Sequence, residues 1–227
     1  MKAMILAAGR GERLRPLTDR VPKALVEAGG KPLLAWHLER IAQAGFGEVV
    51  INVSHLGRLI MNRFGTGAGY GLAIRWSQEA EALETAGGIA QVRALLGADP
   101  FLVVNADIWC DYEFASLRGH RLDSRLAHLV LVANPPHRAH GDFSLRGASV
   151  GDDPSPRYTY AGIAVLSPEL VSGIAPGEKA PIEPLLRAAA GRGAVSGELH
   201  DGVWRDVGTA ERLAELETLL RTKRIAT

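Results

Sequence analysis

Apolar and polar positions along this chain fall into two alternating rhythms. Short runs rich in β-branched and other apolar residues, at 2–7, 48–53, 72–77, 101–105 and 127–133, are bounded by turn residues and read as buried strands. Between them, apolar residues recur three and four apart and predict helices over 32–44, 55–64, 86–96 and 112–120. Pro32 near the start of the first helix and Gly45 just past it match the usual start and stop signals. Strands alternating with helices predict an α/β fold, a Rossmann-like three-layer sandwich whose central sheet is mostly parallel and covered on both faces.

The texture changes beyond Val132. Asn134-Pro135-Pro136 and Asp152-Asp153-Pro154 are turn-rich, with short strands predicted around 142–150 and 158–166. These are expected to form a small β-rich insertion that walls one side of a pocket. A helix at 181–190, a short strand near 203–206 and an amphipathic helix at 209–222 complete the pattern. There is no internal repeat and no hexapeptide periodicity of a β-helix, so residues 1–227 are expected to form one catalytic-size domain.

Composition narrows the possibilities. Hydrophobic residues make up 47% of the 227, enough for a sizeable core, and the net charge of +1 gives no reason to expect nucleic acid or membrane as a partner. A single cysteine, Cys110, excludes an internal disulfide and fits a buried thiol in a reducing cytoplasm. The apolar run before Gly9 is too short for a signal-peptide core or a spanning helix, so a cytoplasmic protein is expected.

Candidate chemistry concentrates in residues 6–25. A strand runs into Ala8-Gly9-Arg10-Gly11-Glu12-Arg13, and Pro22-Lys23 follows. Glycines let a backbone approach an anion closely, and the cations neutralise it, as a nucleoside triphosphate requires. A dinucleotide fingerprint would place a third glycine where Leu14 stands, and no Gly-Lys-Ser/Thr run marks a P-loop. Two carboxylates also stand out by position. Asp107 follows Phe101-Leu102-Val103-Val104-Asn105 at the carboxyl end of a predicted buried strand, the edge where open α/β sheets bind ligands. Asp206 lies in Trp204-Arg205-Asp206-Val207-Gly208-Thr209 before the last helix. Taken alone, either serves equally well as a turn or helix-start residue.

The whole pattern G-x-G-x-R-L-x-P-L-T, three residues, then P-K-x-L, together with V-N-x-D and W-x-D-V-G-T, resembles the sugar-1-phosphate nucleotidyltransferases. That resemblance implies a nucleoside triphosphate cradled by Ala8, Gly9, Gly11 and Glu12. It further implies Arg13 on the β and γ oxygens, Lys23 on the α-phosphate, and Mg²⁺ shared by Asp107 and Asp206. Arg13, Lys23 and Asp107 would then carry the transfer. The acceptor phosphate, with a second pKa near 6, is already largely a dianion at neutral pH. Attack on the α-phosphorus with loss of pyrophosphate therefore asks for positioning and cationic clamping rather than a catalytic histidine or serine.

Base and sugar contacts are expected further on. Gln78 offers an amide to a pyrimidine edge, and Thr85, Gly87 and Gly88 in Leu-Glu-Thr-Ala-Gly-Gly open a helix beside it; a solvated acidic loop is the competing reading. L-E-T-x-G-G resembles a uridylyltransferase branch of the family. This implies UTP as donor and N-acetylmuramate 1-phosphate as acceptor, for cell-wall sugar recycling. By the same resemblance Asn105, Asp142 of Gly-Asp-Phe, Gly162 of Tyr-Ala-Gly-Ile and Glu183 would meet the sugar phosphate, although Glu183 could instead simply favour a helix start. A muramyl carboxylate would want a cation, and Arg205, Arg138 and His140 are candidates. His137 and His140 lack companions for a zinc site, and Trp36, Trp76 and Trp109 are expected to pack. Other readings are a nucleotidyltransferase for another sugar 1-phosphate or phosphocholine, or a non-catalytic nucleotide-sugar-binding subunit. A monomer or weak homodimer is expected.

Overall fold

A computed structural model describes residues 1–154 and 156–225. In chain order its elements begin β1 (Ala3–Leu6), β2 (Glu27–Ala28), β3 (Lys31–Pro32), α1 (Leu33–Gln43), β4 (Glu48–Val53), α2 (Gly57–Phe64) and β5 (Ala73–Gln78). Next come α3 (Glu84–Gln91), α4 (Arg93–Leu96), β6 (Phe101–Asn105), β7 (Ile108–Cys110), α5 (Ala115–Arg118) and β8 (Ala127–Val132). The last are β9 (Phe143–Arg146), β10 (Ser149–Gly151), β11 (Arg157–Leu166), α6 (Glu183–Gly191), β12 (Val195–His200), β13 (Trp204–Asp206) and α7 (Ala210–Ile225).

Nine strands form one sheet in the order β5-β4-β1-β6-β11-β8-β12-β10-β9. β5, β4, β1 and β6 are mutually parallel, β11 runs antiparallel between β6 and β8, and β12 is parallel to β8. Successive side chains of a strand point to opposite faces, and strands covered on both faces can be apolar throughout. Ala3 and Ile5 of β1 pack with Val49, Ile51 and Val104 against Leu34, Leu38 and Ile41 of α1 and Ile60 of α2. Met4, between them, joins Val50, Phe101 and Val103 against Ile89 of α3 and Leu186 of α6. This is the expected three-layer arrangement. A third cluster seats Leu216 and Leu220 of α7 on Ala28, Leu33 and Trp109.

The β-rich insertion consists of β9, β10 and the first half of β11. Arg157 and Tyr158 pair with β9, whereas Ile163 to Leu166 pair with β6, and the register shifts between Tyr160 and Ala164. Gly162 sits in that irregularity at φ 74°, a conformation that favours glycine. The bend brings β11, β8, β12, β10 and β9 into a closed ring of pairings beside the parallel half.

Three expectations need correction. β12 was not predicted: its polar positions replace the usual apolar alternation, with Ser196 bonded to buried His128 and Glu198 accepting from the Tyr112 hydroxyl. The helix expected over 86–96 divides at Val92, whose φ of −107° departs from helical geometry. The helix expected over 112–120 is a single turn, closed by Gly119. The tryptophans pack as expected: Trp36 meets Trp109 edge to face at 6.1 Å, and Trp76 donates to the Gly65 carbonyl. Cys110 is free and buried, and burial pushes its thiol pKa up. Among the described residues no helix is long and apolar enough to cross a membrane.

Two histidines are buried with one ring nitrogen lacking a hydrogen-bond partner, His37 at Nδ1 and His128 at Nε2. Burial, aided by the Arg40 charge, lowers the His37 pKa to about 4; burial, aided by the charge of neighbouring His120, lowers His128 to about 4. Between pH 6.5 and 4 the unfolded chain therefore holds more protons than the folded one, so stability is full above about pH 6.5 and falls on acidification. Chemical denaturation should show a loss on the order of 2 kcal/mol per histidine between pH 7 and 5. A flat profile over that window would contradict this account.

Candidate active site

The site begins with strand register. Leu6 at the end of β1 lies opposite Asn52 of β4 on one side and Asn105 of β6 on the other. Three parallel strands thus end at one level, and the loops beyond them enclose a cavity of about 610 Å³. Its wall brings together Ala8, Gly9, Gly11, Glu12, Arg13, Lys23, Thr85, Asn105 and Asp107, nine of the predicted residues.

Local chemistry shapes the first loop. Gly11 adopts φ 71° and precedes a short 3₁₀ turn at Glu12–Leu14, whose Leu14 is buried. A Cβ on Gly11 would lie 2.9 Å from Thr18 Cγ2, so glycine is required both for its backbone and for its space. The Thr18 hydroxyl donates to the Gly11 carbonyl at 2.8 Å. At the base of the loop the Ala7 N–H donates to Asn52 Oδ1 at 2.9 Å, and Asn52 Nδ2 donates to Glu79 Oε1 at 2.8 Å. Glu79, only 5% exposed, uses its other oxygen to accept the Leu83 N–H. This buried chain ties the first loop to the segment that opens α3. Neither Asn52 nor Glu79 was singled out from sequence; a polar residue in the run Val-Val-Ile-Asn-Val was the available signal.

Lys23 Nζ lies 2.6 Å from Asp107 Oδ2, with the two side chains 11% and 37% exposed. Arg13 is exposed on the cavity wall and has no ion-pair or hydrogen-bond partner among the described residues. Asp206 ends β13, which pairs antiparallel with β7 so that Asp206 faces Ile108, one residue beyond Asp107. The Val207 N–H donates to the Asp107 carbonyl at 2.7 Å. Asp206 is not on the cavity wall: Arg212 binds its Oδ2, and His137 Nε2 lies 3.1 Å from its Oδ1. Gly208, two residues on, does line the cavity.

Other predicted residues lie elsewhere. Gln78 is exposed at the end of edge strand β5, outside the wall. Gly87 and Gly88 are buried packing positions. A Cβ on Gly87 would collide with the Glu178 carbonyl, and one on Gly88 would lie 2.7 Å from Asn52 Nδ2. The segment opening α3 places Glu84 at φ 61°, an uncommon conformation for a non-glycine residue and one that gathers at functional sites.

A second cavity of about 360 Å³ adjoins the first and shares Glu84, Thr85 and Asn105 with it. Asp142, Glu183 and Arg138 line it. Asp142 Oδ2 accepts from the Tyr160 N–H at 2.9 Å and from Arg138 at 3.2 Å, so this carboxylate also pins the first half of β11. Glu183 lies in the first turn of α6, where its charge favours the helix start, and pairs with Arg187 at 2.8 Å. Gly162 does not line the cavity; the space left by its missing Cβ is occupied by Asn105, whose Nδ2 would be 2.7 Å away. Of the three cations considered for a sugar carboxylate, Arg138 alone is on this wall, while Arg205 and His140 are not.

Residues 2–145 match the family model described as nucleotidyl transferase. The chain is 50% identical over 226 residues to N-acetylmuramate alpha-1-phosphate uridylyltransferase of Neisseria meningitidis serogroup B, covering 96% of this chain and 98% of that one. It is 32% identical over 236 residues to the protein of the same name from Caulobacter vibrioides, with 96% of each covered. Its fold is similar to a solved UDP-glucose pyrophosphorylase complexed with UDP-glucose, with a TM-score of 0.79, 20% identity and 98% of both chains covered.

The buried link between loop and sheet has a measurable consequence. Replacing Asn52 by leucine leaves the Ala7 N–H and the Glu79 carboxylate without their partner. The expected cost is about 2–4 kcal/mol in chemical denaturation. A loss below about 0.5 kcal/mol, the range of an ordinary surface change, would contradict the structural role given to this asparagine.

Proposed function

The chain belongs to the sugar-1-phosphate nucleotidyltransferase family, and we propose that it transfers a uridylyl group from UTP to N-acetylmuramate 1-phosphate, releasing pyrophosphate. The observation that carries this reading is the pair of adjoining cavities. One is lined by a glycine loop with Arg13 and Lys23, the other by Arg138, and Asn105 stands in the wall between them. The relative from Neisseria meningitidis bears the name of this activity and matches nearly end to end. Arg138 supports the choice of sugar: its guanidinium fork suits a carboxylate, which N-acetylmuramate carries and simple hexoses lack.

In this reading a phosphate oxygen of the sugar 1-phosphate bonds to the α-phosphorus. The bond from that phosphorus to the bridging oxygen breaks, and pyrophosphate leaves with the electron pair. The attacking dianion needs no base. Arg13, uncommitted to any anion among the described residues, holds the β and γ oxygens. Lys23, pre-positioned by Asp107, turns to the α-phosphate and stabilises its growing charge. Asn105 orients the acceptor phosphate.

The residues fit a bound Mg²⁺ in donor chemistry. Asp107 and Asp206 offer hard oxygens, and among the described residues no cluster of three or more acidic, histidine or cysteine side chains forms a dedicated cage. Such a small set suits an ion that keeps waters and takes further ligands from phosphates. When bound there, Mg²⁺ would neutralise phosphate charge.

Lys23→Ala and Asp107→Ala should each lower pyrophosphate release with UTP and N-acetylmuramate 1-phosphate by at least ~10²-fold while far-UV dichroism stays native. Near-normal turnover in either would contradict the assignment. Arg138→Met should raise KM for N-acetylmuramate 1-phosphate by ~10-fold and leave that for N-acetylglucosamine 1-phosphate nearly unchanged. Equal effects on both sugars would remove Arg138 from carboxylate recognition.

A further inference from the structure

Arg212 was not among the residues that the sequence motifs marked for the site, yet it occupies a position that the proposed reaction has to deal with. It stands in the first turn of α7, and its side chain is 13% exposed. Its Nη1 binds Asp206 Oδ2 and lies 2.7 Å from His137 Nε2. The other end of the guanidinium reaches over Gly208. A Cβ on Gly208 would collide with Arg212 Nη2 and would come within 3.1 Å of Arg13 Nη2. Two guanidinium groups, one from each end of the chain, therefore converge on one glycine of the cavity wall. Like charges brought this close are repelled unless an anion lies beside them. Arg212 has Asp206 as that anion, and Arg13 has none among the described residues.

The same arrangement appears at the neighbouring carboxylate. Asp107 is held by Lys23, as Asp206 is held by Arg212. Each acidic side chain suited to the metal is thus neutralised by a cation; Lys23 lines the phosphate cavity, and Arg212 packs over Gly208, which lines it too. Resting on the nucleotidyltransferase reading above, we propose that Arg212 is a second triphosphate-binding cation that exchanges partners. In the free protein it neutralises Asp206. When a triphosphate enters, it turns to the β and γ oxygens beside Arg13 and leaves Asp206 to the metal. Phosphate and metal binding are coupled by this exchange, because the carboxylate is released only as the phosphates arrive. A lysine could carry the charge but not the fork that spans both partners.

The test separates the two bindings from turnover. Mn²⁺ alone, as a spectroscopically visible stand-in for Mg²⁺, is titrated into the full chain without nucleotide. An α,β-non-hydrolysable UTP analogue and UMP are titrated separately with Mg²⁺ present. Arg212→Gln should tighten nucleotide-free Mn²⁺ binding by ~10-fold, because Asp206 loses its arginine partner. It should weaken the triphosphate analogue by ~10- to 100-fold and leave UMP, which has no β or γ phosphate, within ~2-fold. Asp206→Asn in the Arg212→Gln background should abolish the gain in Mn²⁺ affinity. Should Arg212→Gln fail to fold, Arg212→Lys is measured instead, with the same directions and smaller changes. Unchanged Mn²⁺ binding and unchanged analogue binding in a folded variant would overturn the exchange while leaving the nucleotide reading intact. So would equal loss of UMP and analogue, the mark of a merely structural arginine. A wild-type chain that bound neither analogue nor UMP would overturn both.

Discussion

The ion pair between Lys23 and Asp107 joins segments 84 residues apart in sequence, at a separation of 2.6 Å. It forms because β1 and β6 are parallel neighbours in register, so the loop after one strand and the turn after the other leave the sheet together. The lysine is nearly buried and the carboxylate partly so, and removing either would strand a charge in a poorly solvated wall. The rest of the site is arranged around this contact. Thr18 and Gly11 close the first loop over it, and β13 adds to the turn after β6 through the Val207 to Asp107 hydrogen bond.

Sheet and loops divide the work. Strands packed on both faces hold Asn52 and Asn105 at fixed height, and the buried Asn52–Glu79 chain carries that rigidity into the segment opening α3. The bend at Gly162 gives β11 two partners, so that one strand supports the parallel sheet and also the wall of the second cavity. In the proposed reaction this places donor and acceptor in adjoining spaces on a common rigid edge, which is where rate enhancement by positioning originates. Lys23 on Asp107 and Arg212 on Asp206 are parallel ion pairs, and in the proposed exchange the protein's anions hold these cations until the substrate's phosphates replace them.

Much of this was legible in the chain. The apolar runs at 48–53 and 101–105 are all but continuous because both faces are covered, and a residue such as Asp107, two positions after such a run, could be placed on the binding edge. β12 was not legible, because Ser196 and Glu198 satisfy His128 and Tyr112 where apolar side chains would ordinarily mark a strand. Gly87 and Gly88 show the ambiguity of glycine. They are expected at a helix start beside a nucleotide base, whereas the Glu178 carbonyl and the Asn52 amide fill the space beside them. Gly162 similarly makes room for a side chain, Asn105, rather than for open space. Arg212 and His137 were hidden for another reason: one sits on a helix that reads as a charged face, the other beside two prolines, and only the fold brings them to Asp206.

The central claim is that the glycine loop, Lys23 and the two aspartates form one triphosphate and metal site. A crystal structure of the chain with Mg²⁺ and an α,β-non-hydrolysable UTP analogue tests it most directly. The account predicts the α-phosphate on Lys23, the β and γ phosphates beside Arg13 and the Gly9–Gly11 loop, and the metal on Asp107 and Asp206. A triphosphate bound away from that loop, or a metal that leaves both aspartates in their ion pairs, would contradict it.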